Sequence, residues 1–337
     1  MNGGWRYRLL SVAGVTVLTV ATVGVANTEV VQAGFSLLPV VGHLPFEGAA
    51  GTEFAYEAGI AASVVVGALF LAIGVSWTVW LTTFSVTTPR SGLGYLGMGL
   101  GAFGPGVAGA AVTRLRGESV RAWLATIFEW RRPLRWYGLA IAVPVVGALG
   151  VGVVVFSLVG LPDSSSLGQL APLFLFNLVL ATLFTGGNEE FGWRGFALPH
   201  LQKRFSALTA SVLVGGVWAL WHVPMFVYDV YPHSPVLYTA SVVCFAVILT
   251  WYYNASDGSV LGAVLFHGTL NAAVNVPGQA VGGAAAVPVP YAAILTGTFG
   301  VLATLFVVRY GPETLSHNEA VQPRWTGSRS TDGAVSG

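Results

Sequence analysis

The chain has 337 residues, of which 54% are hydrophobic and only 9% charged, with a mean hydropathy of +0.72. Fifteen Lys/Arg and fourteen Asp/Glu cannot cover a globule of this mass with a charged skin, so soluble, disordered and fibrous classes are excluded. The net charge of +1 says nothing about nucleic acid, but no basic stripe tracks a phosphate backbone, so no nucleic-acid partner is expected, and the single Cys244, set in an apolar run, excludes an internal disulfide. What remains is an all-α membrane protein, a polytopic helical bundle with the lipid bilayer as its first partner.

A helix needs about 20 apolar residues to cross a hydrocarbon core of about 30 Å. Nine stretches qualify: Leu9–Ala26, Ile60–Phe84, Leu93–Thr113, Trp136–Leu161, Leu170 to about Gln202, Leu208–Phe226, Val236–Tyr253, Val260–Val276 and Tyr291–Val308. The first resembles a signal peptide, with Arg6 and Arg8 ahead of the apolar run, but the run exceeds the usual signal core, so an uncleaved span is expected. The stretch Thr28–Glu57 is mixed, with room for a re-entrant piece. Three parts follow: residues 1–57 as an N-terminal span and loop, 58–310 as the core, and 311–337 as a polar Gly/Ser/Thr-rich tail expected to be disordered.

Positive charge sets the orientation. Twelve Lys/Arg fall on one side: six in the loop Arg114–Arg135, three at Arg194, Lys203 and Arg204, and Arg309, Arg324 and Arg329. Only Arg6, Arg8 and Arg90 fall on the other. The richer side is expected to be cytoplasmic, with the C-terminus inside a multi-pass protein of the cell membrane; Arg6 and Arg8 run against this locally. Within the first of those loops, Val120, Trp123, Leu124, Ile127 and Phe128 recur at helical spacing, which predicts an amphipathic helix at the headgroups. The third span carries Gly97, Gly101, Gly104, Pro105, Gly106 and Gly109, small residues that permit close helix packing.

An ionisable group at membrane depth costs about 2.5–3.5 kcal/mol on insertion scales, so each needs a reason. They are few: Glu189, Glu190 and Arg194 in one segment, His222 in the next, and His267 two spans later with Asn271 beside it. Adjacent carboxylates point about 100° apart on a helix, so Glu189 and Glu190 cannot share one role. Glu190 and Arg194, at i and i+4, can pair, which leaves Glu189 facing elsewhere without a local counter-ion. Such a carboxylate suits proton transfer near neutral pH. Trp218 and His222 are likewise one turn apart, so the indole can pack on the imidazole. His267 and Asn271 present two neighbouring donors, as a tetrahedral oxyanion requires.

Depth arithmetic tests whether these groups meet. Counted from a turn at Lys203–Ala207, Glu189 and His222 both lie roughly 25 Å along antiparallel neighbours at 1.5 Å per residue. Counted from Asn254–Gly258, on the same side, His267 and Asn271 lie roughly 16–22 Å in. Convergence at one depth is expected. There is no HExxH helix and no Cys pair, yet Glu189, His222 and His267 could supply an open zinc site, so sequence leaves zinc and a metal-free water both open.

Taken in order, Glu189-Glu190-x3-Arg194, Trp218-x3-His222 and His267-x3-Asn271 resemble the CPBP family of CAAX proteases and bacteriocin-processing enzymes, also called Abi. Phe103-Gly104-Pro105, the arginine-rich loop and Leu134-Arg135-Trp136-Tyr137 look like the family's earlier helices, and the likeness covers roughly Ile60–Val308. Each motif is weak singly; the ordered set of three is specific. The resemblance implies an eight-helix intramembrane endopeptidase, similar to type II CAAX prenyl endopeptidases, that cuts near the end of a membrane-associated protein or peptide. It implies that Glu189 and His222 activate water, that His267 and Asn271 hold the oxyanion, and that Glu190, Arg194 and Trp218 support the site. Trp at 218 stands where Phe is commoner, and the first span lies outside the usual eight. No feature of the chain reports a prenyl group. Two further classes stay open: a non-proteolytic immunity or scaffold protein of the same family, and a proton-coupled transporter, against which stand the lack of an inverted repeat and the clustering of polar groups at one depth.

Overall fold

A computed structural model describes residues 49–162, 164–231 and 234–325. These residues form helices and connecting turns, with no strand among them. Eight helical stretches are long and apolar enough to cross a membrane: Val64–Val86, Gly92–Leu115, Leu134–Val159, Leu170–Leu201, Ala207–Val227, Pro235–Ala255, Val260–Ala280 and Tyr291–Tyr310. They coincide with eight of the nine stretches expected from hydropathy, and the protein is a polytopic all-α membrane protein. The ninth, Leu9–Ala26, and most of the mixed stretch Thr28–Glu57 lie outside the described residues.

The first helix, α1 (Ala49–Val86), packs along the next two, α2 (Gly92–Gly101) and α3 (Gly104–Leu115). The third span is thus broken at Ala102–Phe103, where Pro105 has no N–H to continue the ladder. The glycines do what the sequence suggests. A Cβ at Gly101 would run into the Trp80 indole and one at Gly104 into the Ser76 hydroxyl. In return Ser76 donates to Gly101 O at 2.7 Å and Trp80 to Met98 O at 3.1 Å, so polar groups of α1 are satisfied by the backbone they touch.

Helix α4 (Val120–Ile127) is the expected amphipathic helix, capped by Ser119, but its apolar face is divided. Trp123 and Ile127 are buried against the protein, with Trp123 Nε1 donating to Gly195 O at 2.8 Å, while Leu124 and Phe128 are exposed. Helix α5 (Leu134–Val159) and α6 (Ser164–Leu183) then flank α9 (Val260–Ala273), the innermost helix, whose buried residues face both. Helix α7 (Ala207–Trp221) pairs with α8 (Pro235–Ala255), and α8 with α10 (Tyr291–Tyr310). Exposed Leu149, Val153, Leu175, Phe176, Val301 and Leu305 form an outer apolar surface suited to lipid.

The described part of the tail departs from expectation; residues 326–337 lie outside the described residues. Residues 311–325, which composition predicts to be disordered, fold back over the Gln202–Ala207 and Asn254–Gly258 turns. Ala207 and Leu208, at the start of α7, donate their N–H groups to Glu313 O and Pro312 O at 2.8 and 2.9 Å. Those amides are among the orphan donors of a helix start, which is why a polar, low-complexity segment finds partners there. The buried amides of Gln202 and Asn254 bond each other and reach Val321 O and Thr314 O. Leu315 and Trp325 are buried, and Arg324 meets Asp257 at 2.6 Å. Composition could not show that these few apolar residues have a seat.

Candidate active site

The fifth span does not run straight to its end. Helix α6 stops at Leu183, a 3-10 turn covers Gly187–Glu189, and the chain then passes through Glu190–Gly192 into a π-helical turn, Trp193–Ala197, before closing at Leu198–Leu201. Glycine makes the break possible. A Cβ at Gly187 would strike the carbonyls of Thr182 and Val264, and one at Gly192 the backbone of Pro105. Close approach to α9 and α3 therefore holds this irregular segment, and π turns of this kind concentrate at functional sites. The expected continuous helix is corrected to this broken one.

Glu190 is fully buried and accepts from Arg194 Nη1 through both carboxylate oxygens, at 3.0 and 2.9 Å. The expected ion pair is present. The same carboxylate accepts from His267 Nδ1 at 2.8 Å, a contact between the fifth span and α9 that sequence spacing could not show. Arg194 also lies 5.4 Å from the Trp218 ring, with Nη2 donating weakly to Ala246 O at 3.4 Å. One guanidinium and one carboxylate thus tie the fifth span to three helices, α7, α8 and α9.

Glu189 points elsewhere, as the helical offset predicts. Its Oε2 accepts from Trp218 Nε1 at 2.7 Å, so this buried carboxylate has a neutral partner and no cation bonded to it. The role of Trp218 as its donor is missed by the sequence reading, which used the indole only as a packing surface. That packing is present too: the Trp218 ring lies 6.2 Å from His222 and 5.0 Å, edge-on, from His267.

His222 caps the end of α7, where Pro224 prevents the helix continuing in register. Its Nδ1 donates to Trp218 O at 2.8 Å, which fixes the tautomer and leaves Nε2 with its lone pair. Trp218 thus bonds Glu189 with its side chain and His222 with its carbonyl. Opposite, Asn271 Nδ2 donates to Thr185 O at 3.2 Å. A Cβ added at Gly186 would collide with Asn271 Nδ2 and approach His267 Nε2 to 3.2 Å. Both donor atoms therefore face the same small gap left by a missing side chain. Asn188, also overlooked, braces it by accepting from Gly186 N at 3.2 Å.

All the residues singled out from sequence, Glu189, Glu190, Arg194, Trp218, His222, His267 and Asn271, are brought together. Among the described residues no three His, Cys, Asp or Glu side chains are grouped to hold an ion. Each imidazole gives Nδ1 to a protein oxygen and Glu189 gives one oxygen to an indole, an arrangement that leaves Nε2 of both rings and the second carboxylate oxygen to face water, substrate or a metal ion.

The fold and site together define a polytopic helical membrane protein with a buried carboxylate, imidazole and amide constellation. Residues 170–273, the stretch holding every one of these groups, match the family model described as type II CAAX prenyl endopeptidase Rce1-like. The chain is also 32% identical to the CAAX prenyl protease 2 of Methanococcus maripaludis, over 38% of this chain and 54% of that protein. It thus spans about half the length of this curated relative. The resemblance drawn from the three motifs holds on both comparisons.

Proposed function

We propose that the protein is an intramembrane endopeptidase that hydrolyses a peptide bond of a membrane-associated protein by direct activation of water. The observation that carries this reading is the Trp218 bridge, which sets a buried carboxylate held by a neutral donor and a lone-pair imidazole nitrogen on one centre. Glu189 and His222 Nε2 are the acceptors for the proton of a water whose oxygen attacks the scissile carbonyl carbon. The oxyanion that forms accepts from Asn271, whose second amide proton is not used by Thr185, and from His267. Because His267 Nδ1–H is given to Glu190, donation from Nε2 requires the imidazolium; the Glu190 carboxylate is its counter-charge. Collapse of the intermediate breaks the C–N bond, and the proton taken from water passes to the leaving amine. Arg194 holds Glu190 in place.

The test is a purified, detergent-solubilised protein presented with membrane-anchored peptides, with and without exhaustive chelation. Cleavage that survives chelation, without stoichiometric metal by elemental analysis, is the expected result. Zinc lost together with activity would overturn the metal-free mechanism. No cleavage of any anchored peptide would leave a non-proteolytic scaffold as the better reading.

We also propose the orientation set by positive charge, with the loop Arg114–Arg135 and residues 311–325 in the cytoplasm. From Ala207 to His222 is fifteen residues, about 22 Å of helix at 1.5 Å each, so the site then lies in the outer half of the membrane. Cysteines introduced in that loop and tail are expected to react only with membrane-permeant reagents in intact cells. Labelling from outside would reverse the topology and place the site near the cytoplasmic leaflet. That is where a prenylated CAAX-type protein, the class named by the relative, would be anchored, so the same experiment selects the substrate class.

A further inference from the structure

Beyond the residues of the three motifs, the structure closes His222 in an aromatic box. Trp221 meets the imidazole edge-on at 4.7 Å; Tyr231 lies 5.7 Å away, inclined by 37°, and Tyr238 5.4 Å away at 70°. The two tyrosine rings are 5.2 Å apart, and Phe226 packs on both at 5.6 and 5.2 Å. They come from different elements. Tyr238 is in the first turn of α8, while Tyr231 follows the short helix Val223–Val227 and is pinned by its N–H to Met225 O at 3.2 Å. Nothing in the sequence spacing marks them, since neither shares a helix face with a motif residue.

We infer that Tyr231 and Tyr238 are positioning residues of the water-activating centre, holding the plane of the His222 ring so that Nε2 stays aimed where Glu189 can share its water. The inference rests on the peptidase reading above. A single hydrogen bond from Nδ1 fixes one atom of the imidazole but leaves the ring free to tilt about it, and Pro224 has ended the regular helix at that point. Rings on two sides remove that freedom. Both phenols also lie within the electrostatic reach of Glu189. Desolvation, and then the Glu189 charge, hold the Tyr231 phenol above its ordinary range, so it stays a neutral wall and adds no competing base. A tilt that moves Nε2 by about 1 Å is enough to cost up to about 10²-fold in rate.

The experiment compares Tyr231→Leu, Tyr238→Leu and the matching Phe variants on whichever anchored peptide the wild type cleaves. Each Leu variant is expected to lower kcat about tenfold with KM within about twofold, and each Phe variant to restore kcat to within about twofold of wild type. Should a Leu variant fail to fold, Met at the same position, unbranched and of comparable bulk, gives the same reading. Wild-type kcat in the non-aromatic variants, a loss confined to KM, or Phe variants as impaired as Leu would each overturn the inference. Glu189→Gln serves as the reference: if it still cleaves, the peptidase mechanism itself fails, whereas an inactive Glu189→Gln beside unaffected Leu variants removes only the positioning role.

Discussion

Glu189→Gln and His222→Ala are each expected to bring peptide cleavage to background, a loss of about 10³–10⁴ in kcat, the upper range for removing a general acid–base group. Asn271→Ala should fall short of that, at about 10²–10³, as for loss of one oxyanion donor, with little change in KM. Glutamine is the informative change at 189. It keeps an oxygen for Trp218 Nε1, so the buried indole is not stranded, yet it cannot take a proton. Thermal unfolding in detergent should therefore be close to wild type. His222→Ala removes a buried ring packed on Trp221, Tyr231 and Tyr238, so it leaves a cavity and should lower the unfolding temperature more than Glu189→Gln does. Turnover near the wild-type value in either variant, on a substrate the native protein cleaves, would refute their assignment as the water-activating pair. A graded series, with 189 and 222 below 271, distinguishes proton transfer from oxyanion stabilisation.

What could be read from the sequence, and what could not, follows from the physics of each feature. Hydropathy located the eight spans because lipid enforces helix length and polarity locally, residue by residue. The meeting of Glu189, His222, His267 and Asn271 was also legible, because ionisable groups at membrane depth are so costly that their mere presence at matched distances from shared turns implies contact. The Glu190–Arg194 pair needed only helical spacing. Other features depended on packing between distant segments, on which periodicity is silent. The bond from His267 to Glu190 spans 77 residues, and that from Trp218 to Glu189 spans 29. The π turn at Trp193–Ala197 arises from the close seating of Gly187 and Gly192 on their neighbours, and a glycine in an apolar run announces neither. The tail misled because composition measures how much apolar surface a segment carries, whereas its fate was decided by unpaired helix-end donors elsewhere in the chain.

Glu190→Ala should behave unlike Glu189→Gln, with a marked loss of stability as well as of activity. Arg194 and Glu190 are both fully buried, and the carboxylate is the guanidinium's main partner: Nη1 donates to both of its oxygens, Nη2 has only a 3.4 Å contact with Ala246 O, and Nε has no hydrogen-bond partner among the described residues. Removing the carboxylate leaves an unpaired buried charge, which typically costs about 3–5 kcal/mol. It also releases His267 Nδ1, so of the polar ties from α9 to the fifth span only that of Asn271 to Thr185 O is left among those described above. Glu190→Gln separates the two contributions. The amide oxygen can still accept from Arg194 and His267, so part of the stability should return, but the negative charge that balances an imidazolium at 267 does not, and the rate should stay low. Replacing the whole pair, Glu190→Leu with Arg194→Met, should recover more stability than Glu190→Ala alone, since no charge is then stranded. Unfolding temperatures of the four proteins in one detergent, read beside their turnover, check the scheme. If Glu190→Ala unfolds at the wild-type temperature, Arg194 finds another partner, and the carboxylate is not the tie that holds the three helices.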